Sequence, residues 1–159
     1  MKVLAIDPGY DRLGIAIIEK EGGREKLVYS ECYQTQTTDT FHTRLALVGQ
    51  RVRELIKEYS PNALAIEDLF FAKNTKTALK VGESRGVVIF QAVDACVPVY
   101  EYTPNQIKVA VTGYGRASKA DVHRMVEKLI NLKTKSRFDD EIDAIATGLT
   151  FFATHKNIH

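Results

Sequence analysis

Residues 2–18 read KVLAIDPGYDRLGIAII, and this stretch decides the fold. Its apolar run at 2–6 is rich in aliphatic residues and stops at Asp7, Pro8 and Gly9. Proline lacks the backbone N–H that a sheet requires, and glycine permits a turn. The sequence therefore predicts a first strand at 2–6, with Asp7 at its carboxyl end.

Two more strand-like runs follow the first one. They lie at 13–18 (LGIAII) and 27–33, and the Gly22-Gly23 pair between them permits a tight turn. Because the predicted strands are short and consecutive, we expect them to pair as an antiparallel meander.

The rest of the chain alternates predicted helices and short strands. From Thr40 to Tyr59 apolar residues recur every three or four positions, which is typical of an amphipathic helix. Further strands are predicted at 63–66 and 97–100, and further helices at 75–95, 104–111, 119–132 and 139–154. This order predicts an α/β fold, with a mixed five-stranded sheet flanked by helices, in a single domain spanning 1–159. We expect the tail from about residue 155 to be mobile.

Composition narrows the class of protein. No stretch approaches the roughly 20 apolar residues of a membrane span, and Asp7 and Pro8 interrupt the start, where a signal peptide keeps its apolar segment. Cys32 and Cys96 are far apart and form no CxxC pair, so neither a disulfide framework nor a zinc site is indicated. We therefore expect a soluble, cytoplasmic protein with reduced thiols.

Positive charge is concentrated in the middle of the chain. Residues 1–72 hold nine Lys and Arg against eleven Asp and Glu, residues 73–137 hold twelve against five, and residues 138–159 hold one against four. Such a block is often only the solvated face of helices. It becomes informative beside an acidic site, because a nucleic-acid partner needs cations that draw its phosphates towards carboxylates.

Four carboxylates are predicted to converge. Asp7 and Glu67 each follow a predicted strand, and neighbouring strand ends would bring them face to face, where carboxylates repel unless a proton or a cation joins them. Asp140 and Asp143 are three residues apart and project from one face of the last helix. An acid at a helix start is more often a cap than a ligand, and Asp139 or Asp140 could be that cap.

These acids suit hard divalent cations. Carboxylate oxygens without a His or Cys cluster favour Mg²⁺ or Mn²⁺ over zinc. Two such ions about 3.5–4 Å apart activate a water on one side of phosphorus and stabilise the departing oxygen on the other. The acids therefore predict phosphodiester hydrolysis with two Mg²⁺ ions per active site, for which Mn²⁺ is expected to substitute.

The chain resembles the bacterial crossover-junction endonuclease family RuvC over nearly its whole length. The similar segments are IDPGYDRLGIAI, AIEDLFFAKNTKTALKVGESRGVV, YTPNQIKVAVTGYGRASKADV and DDEIDAIATGL. The resemblance implies an RNase H-like fold and a homodimer that resolves four-way (Holliday) DNA junctions in homologous recombination and DNA repair. It also implies symmetric nicks with 5′-phosphate and 3′-hydroxyl ends, and cooperation with the branch-migration proteins RuvA and RuvB.

The same resemblance implies which residues form the site. Asp7, Glu67, Asp140 and Asp143 would be the catalytic and metal-binding set. Further residues would contact DNA, namely Phe70, Phe71, Lys73, Asn74, Lys108, Arg116 and Lys119. Stacking on unpaired bases at the junction centre is assigned to Phe70, with Phe71 as a helper. Core packing of these rings remains an alternative, since alternation along the chain lets only one of them point inward.

Two glycines in the predicted helix 75–95 call for a packing explanation. Gly82 and Gly86 are four residues apart, and a helical glycine costs about 0.5–1 kcal/mol relative to alanine. They could allow close contact with the protein's own sheet or with a second subunit.

Three other classes of protein remain as alternatives. A YqgF-like RNA-processing nuclease shares the opening pattern D-x-G-x-x-R-x-G, present here as Asp7, Gly9, Arg12 and Gly14. A sugar kinase or actin-like ATPase opens with a similar D-x-G phosphate loop, but its fold needs two such domains. A non-catalytic junction-binding protein would keep the fold, and the complete set of four acids argues against it.

Overall fold

The computed structural model describes residues 1–69, 75–130, 132 and 138–155. The strands are β1 (Lys2–Asp7), β2 (Arg12–Glu21), β3 (Arg24–Gln34), β4 (Ala63–Glu67) and β5 (Val99–Tyr102). The helices are α1 (Phe41–Tyr59), α2 (Thr75–Asp94), α3 (Pro104–Thr112), α4 (Lys119–Ile130) and α5 (Asp139–Thr154). None of these helices combines the length and the apolar character that crossing a bilayer requires.

The strands form one mixed sheet in the order β3-β2-β1-β4-β5. β1, β2 and β3 pair antiparallel, which confirms the predicted meander, whereas β1 pairs with β4 and β4 with β5 in parallel. Ile6 of β1 lies opposite Ile66 of β4. Asp7 and Glu67 are therefore the next residues on two adjacent strands, at the same edge of the sheet.

The two faces of the central strands carry side chains of different size. Facing α1 and α2 are Leu4, Ile6, Leu64 and Ile66. Facing α3, α4 and α5 are the smaller Val3, Ala5, Ala63 and Ala65. Successive side chains of a strand point to opposite faces, so Asp7 and Glu67 continue the second series. Both acids therefore project towards the side of the sheet that α5 covers.

Helix α5 lies very close to the sheet, and two glycines make this possible. A Cβ atom at Gly14 would lie 1.9 Å from the backbone oxygen of Asp140, and one at Gly148 would lie 2.7 Å from Cδ1 of Ile18. At either position a Cβ atom would fit only if neighbouring atoms moved. The glycines and the small residues of β1 and β4 thus bring the first turn of α5 up to the strand ends.

The start of α5 differs from the sequence prediction. The N-cap residue is Phe138, so the alternative that Asp139 or Asp140 caps the helix does not hold. Both aspartates lie in the first helical turn, where the helix dipole favours negative charge. Neither carboxylate is therefore used to cap the helix, and both remain at the acidic edge of the sheet.

The glycines of α2 do not approach the sheet. Among the described residues, a Cβ atom at Gly86 would meet nothing within 4 Å, and one at Gly82 would meet only Cδ1 of Leu69, at an ordinary 3.4 Å. The interpretation that these glycines allow close contact with the protein's own sheet is therefore wrong. Contact with a second subunit remains.

We expect Gly14→Ala to destabilise the fold more than Gly148→Ala. The added methyl group at residue 14 meets a backbone carbonyl, whereas at residue 148 it meets chiefly the movable end of Ile18. Overpacking typically costs about 1–3 kcal/mol, and each kcal/mol lowers the Tm of a chain of this size by roughly 2–4 °C. Thermal unfolding followed by circular dichroism measures both variants. A wild-type Tm for Gly14→Ala would show that α5 does not lie this close to β2.

Candidate functional site

Three elements bring four acids to one edge of the sheet. Asp7 ends β1, Glu67 ends β4, and Asp140 and Asp143 lie near the start of α5. Burial raises the pKa of Asp7 well above its ordinary value of 3.8, and the charges of Glu67, Asp143 and Asp140 raise it further. Asp7 is therefore close enough to interact electrostatically with the other three acids. The structure therefore gathers the four acids that the sequence singled out.

The carboxyl groups of Asp7 and Glu67 are joined by a hydrogen bond. Burial raises the pKa of Glu67 and the charge of Asp143 adds to this rise, whereas a hydrogen bond with the Asp7 carboxyl group opposes it. Two partly buried carboxylates at close range do not both ionise without compensation. The pair therefore holds on to a proton more tightly than exposed acids do, unless a cation takes the place of that proton.

Asp143 is held by two residues of α4. Nζ of Lys119 lies 2.8 Å from its Oδ2 atom, and Nε2 of His123 lies 3.0 Å from its Oδ1 atom. Lys119 also lies 3.5 Å from Asp139. Burial alone would lower the pKa of Lys119, but its hydrogen bonds to Asp143 and Asp139 and their charges raise it. Lys119 is therefore a firmly charged cation that faces the acidic cluster.

Asp140 lies among residues of β2 and β3. Nη1 of Arg12 is 3.8 Å from its Oδ2 atom, and Sγ of Cys32 is 3.9 Å from the same atom. Burial and the charge of Asp140 raise the pKa of the Cys32 thiol to about 11. The thiol thus stays protonated at neutral pH, where it is a weak hydrogen-bond donor to the carboxylate.

The acidic cluster has the donor atoms of a metal site, but its side chains are not gathered around one metal position. Within the ranges that the structure describes, no three His, Cys, Asp or Glu side chains are gathered closely enough to hold a metal ion. Asp143 is turned towards Lys119 and His123, and Asp140 towards Arg12. The donor set nevertheless fits a hard divalent cation. Burial and the charges of Glu67, Asp143 and Asp140 raise the pKa of Asp7, so a cation bound there would favour its ionised form.

A cavity of about 270 Å³ opens beside the acids. Glu67 and Asp143 line it, and Lys108 of α3 and Lys119 of α4 line it as well. Carboxylates and ammonium groups therefore share one opening. Such a mixture suits a phosphate group that has to approach an acidic centre, because the lysines offset the repulsion between the carboxylates and the phosphate.

The residues predicted to contact DNA fall into three groups. Lys108 and Lys119 line the cavity just described. Arg116 lies elsewhere, with Tyr114, in a groove beside α4. The third group, Phe70, Phe71, Lys73 and Asn74, lies outside the described residues, so the roles assigned to its members stay predictions.

Two residues that fix the strand ends were missed by sequence reasoning. Ser84 Oγ donates a hydrogen bond to the backbone oxygen of Gly9 at 2.8 Å, and Arg85 Nε donates one to the backbone oxygen of Glu67 at 3.2 Å. Ser84 is fully buried. Helix α2 therefore anchors the loop after β1 and the end of β4. A serine on the buried face of a predicted helix was the available signal.

His123 and Cys32 were also missed as neighbours of the acids. His123 is four residues after Lys119, and positions i and i+4 share one face of a helix, so that spacing was a usable signal. Cys32 could not be placed in advance, since its closeness to Asp140 depends on how α5 packs against β3.

Comparisons with known proteins agree with this geometry. A family model described as crossover junction endodeoxyribonuclease RuvC matches residues 3–151. The chain is 43% identical over 148 residues to the protein of that description from Thermosipho melanesiensis, covering 93% of this chain and 94% of that protein. It is also 43% identical over 148 residues to the one from Petrotoga mobilis, covering 93% and 91%.

A solved structure extends the comparison to three dimensions. T. thermophilus RuvC in complex with Holliday junction substrate matches with a TM-score of 0.89 at 36% identity, covering 94% of this chain and 92% of that chain. The mixed sheet with helices on both faces is RNase H-like, which confirms the predicted fold class.

We expect Asp7→Asn to stabilise the metal-free protein at neutral pH. A carboxyl group whose pKa is raised by folding binds its proton more tightly in the folded state, so stability falls as pH rises through that pKa. Asparagine carries no charge and keeps a donor for Glu67. Thermal unfolding in EDTA at pH 7 should give the variant a higher Tm, by roughly 2–4 °C for each kcal/mol that is no longer lost to burying a charge and to repulsion between the acids.

The pH dependence is the control for this prediction. The difference in Tm between Asp7→Asn and the wild type should shrink as the pH falls towards 3.8, the ordinary pKa of aspartate, because the wild-type carboxyl group is then protonated. A Tm at pH 7 that is unchanged or lower in Asp7→Asn would show that burial and the neighbouring acids do not raise the pKa of Asp7.

Proposed function

Since this chain belongs to the RuvC family of crossover junction endodeoxyribonucleases, the Holliday junction resolvases, we propose that Asp7, Glu67, Asp140 and Asp143 are its catalytic residues. The observation that carries the proposal is the convergence of these acids beside a cavity that Lys108 and Lys119 also line. The substrate would be a four-way DNA junction, cut symmetrically to leave 5′-phosphate and 3′-hydroxyl ends.

We infer that the four acids bind Mg²⁺, two ions per active site, with Mn²⁺ able to substitute. The family consists of metal-dependent nucleases. Support for these ions comes from the donor set, which is made of carboxylate oxygens, and from the raised pKa values of Asp7 and Glu67, whose repulsion a cation would relieve. When bound, the ions would activate the attacking water and neutralise charge on the departing oxygen.

The lysines at the cavity would hold the scissile phosphate. Lys108 and Lys119 line the cavity that Glu67 and Asp143 also line, so a phosphate drawn there by their charge would lie next to the acids. Lys119 meanwhile fixes Oδ2 of Asp143, 2.8 Å from its Nζ atom. Arg116 would contact the DNA backbone away from the cleavage point, since it lies in a separate groove.

The segment after Glu67 would meet the centre of the junction. We propose that Phe70, helped by Phe71, stacks on unpaired bases, and that Lys73 and Asn74 contact the strand beside them. The support is their position in the chain, since Phe70 is only three residues after Glu67, where β4 ends.

We infer that the protein is a homodimer that pairs through α2. Leu79, Phe90 and Val93 are 64%, 60% and 62% exposed, although all three are large and apolar. With Gly86 they are spaced by seven, four and three residues, which places them on one stripe of the helix. Two active sites related by a twofold axis suit a junction that is cut symmetrically in two strands.

Cooperation with RuvA and RuvB is supported by family membership alone. We propose it as the setting in which the resolvase meets its substrate.

We expect Asp7→Asn to abolish cleavage while junction binding stays close to wild type, because the acids hold the metal and the cationic surface holds the DNA. The loss of cleavage should exceed the roughly 10–100-fold that removal of an outer partner of a metal ligand costs. A synthetic four-way junction and a linear duplex of matching sequence are incubated with the protein, with Mg²⁺ or EDTA. Wild-type protein should nick only the junction, in symmetric pairs.

Glu58→Gln is the matched control for this experiment. It also removes one carboxylate, but an exposed one on helix α1, which packs on the other face of the sheet. Cleavage at the wild-type rate by Asp7→Asn would overturn the site assignment. Binding without cleavage by the wild type, over varied junction sequences, would indicate a non-catalytic binding protein, and cleavage of RNA instead would favour a YqgF-like nuclease.

We expect Phe90→Lys to convert the dimer into folded monomers, because a charge replaces an apolar side chain on the α2 stripe. Light scattering after gel filtration should give a mass near that of one chain, 17.8 kDa, for the variant, and twice that mass for the wild type. Leu129→Lys is the control, since Leu129 is also 51% exposed but lies on α4. A wild-type protein with the mass of one chain would contradict the dimer.

A further inference from the structure

His123 lies beside the acidic cluster and is assigned no role by the proposed function. It is on α4, one helical turn after Lys119, and its side chain is 17% exposed. Its Nε2 atom is 3.0 Å from Oδ1 of Asp143, and its Nδ1 atom is 3.8 Å from Oδ1 of Asp139. The first contact is a hydrogen bond, and the second is too long to be one. The imidazole is therefore directed chiefly at Asp143.

The ring and the lysine divide the two oxygens of Asp143 between them. Lys119 holds Oδ2 at 2.8 Å and His123 holds Oδ1 at 3.0 Å. Because a carboxylate oxygen only accepts hydrogen bonds, the hydrogen of this contact is carried by Nε2 of His123. With one donor on each oxygen, the carboxylate plane of Asp143 cannot turn freely about its last side-chain bond.

A carboxylate held in this way can still ligate a cation. An ionised carboxyl group offers about four lone-pair sites, and the two donors from α4 occupy two of them. Outer partners that orient a metal-ligating side chain are commonly worth 10–100-fold in metal affinity. Orientation of Asp143 before the ion arrives would therefore strengthen binding of the ion.

A purely structural role for His123 is less consistent with the packing. Helix α4 already buries Val122, Val126 and Ile130 in the core that it shares with α5. An additional polar link between the two helices is available from Lys119 to Asp139, at 3.5 Å. The attachment of α4 therefore does not depend on the contact between His123 and Asp143.

We propose that His123 is a positioning residue that fixes the Asp143 carboxylate for divalent-metal binding by donating a hydrogen bond from Nε2. This inference rests on the proposed role of Asp143 as a metal ligand. His123 acts through Asp143 and does not itself ligate the ion.

The test compares two replacements of similar size, His123→Gln and His123→Met. Glutamine can present an N–H group near the position of Nε2, whereas methionine fills the space without a donor. Binding of Mn²⁺ to the DNA-free protein is measured by isothermal titration calorimetry, and the Tm of each variant is recorded in EDTA. We expect Met to weaken Mn²⁺ binding by about 10–100-fold, Gln to recover most of the affinity, and all variants to unfold near the wild-type Tm.

Two further variants separate the outcomes. Asp139→Asn removes the exposed second neighbour of His123 and should leave Mn²⁺ affinity unchanged, while Asp143→Asn should lower it. Wild-type affinity in His123→Met, or an equal loss in Asp139→Asn, would overturn the positioning role. Unchanged affinity in Asp143→Asn would overturn the proposed metal ligand itself.

Discussion

The close approach of α5 to the central strands is the constraint on which the site depends. Alanines on that face of β1 and β4, and the absence of a side chain at Gly14, let the backbone of Asp140 reach the sheet. The acids of α5 therefore meet those at the strand ends in a partly buried place, where they repel one another. Core packing holds these like charges together although they would not assemble by themselves. A proton, Lys119 or a metal ion has to offset their repulsion.

Much of the fold could be predicted because its local signals agree with its packing. Runs of apolar residues predicted the strands, and three- and four-residue spacing predicted the helices. At the start of α1, Thr40 caps the helix through a hydrogen bond from the backbone of Thr43. The fifth strand was misplaced, because Val97 was predicted to pair in the sheet. Its N–H instead bonds back to the carbonyl of Ala92 at the end of α2, so the strand begins only at Val99.

The acids of the site could be predicted more completely than their neighbours. The positions of Asp7 and Glu67 follow from strand ends and from the alternation of faces, which are local properties. The spacing of Lys119 and His123 indicates only that they share one face of α4, and their contacts with Asp143 depend on α4 packing beside α5, which no local pattern predicts. The alternative that Asp139 or Asp140 caps α5 does not hold, because the helix begins one residue earlier than a cap at Asp139 would require and Phe138 is the N-cap. Tertiary packing therefore sets the neighbours of these acids, which local sequence preferences do not determine.

Ser84 and Arg85 each donate a hydrogen bond to a main-chain carbonyl oxygen, at Gly9 and Glu67, and Arg85 also pairs with the carboxylates of Asp68 and Glu101, which are not among the four acids of the site. A main-chain carbonyl is present whichever amino acid occupies the position. These hydrogen bonds, which hold the strand ends in place, thus do not depend on the acidic side chains there. The acids can be exchanged while the backbone contacts persist. A scaffold of this kind is evolvable, because different chemistry can be tried at the same strand ends without rebuilding the fold.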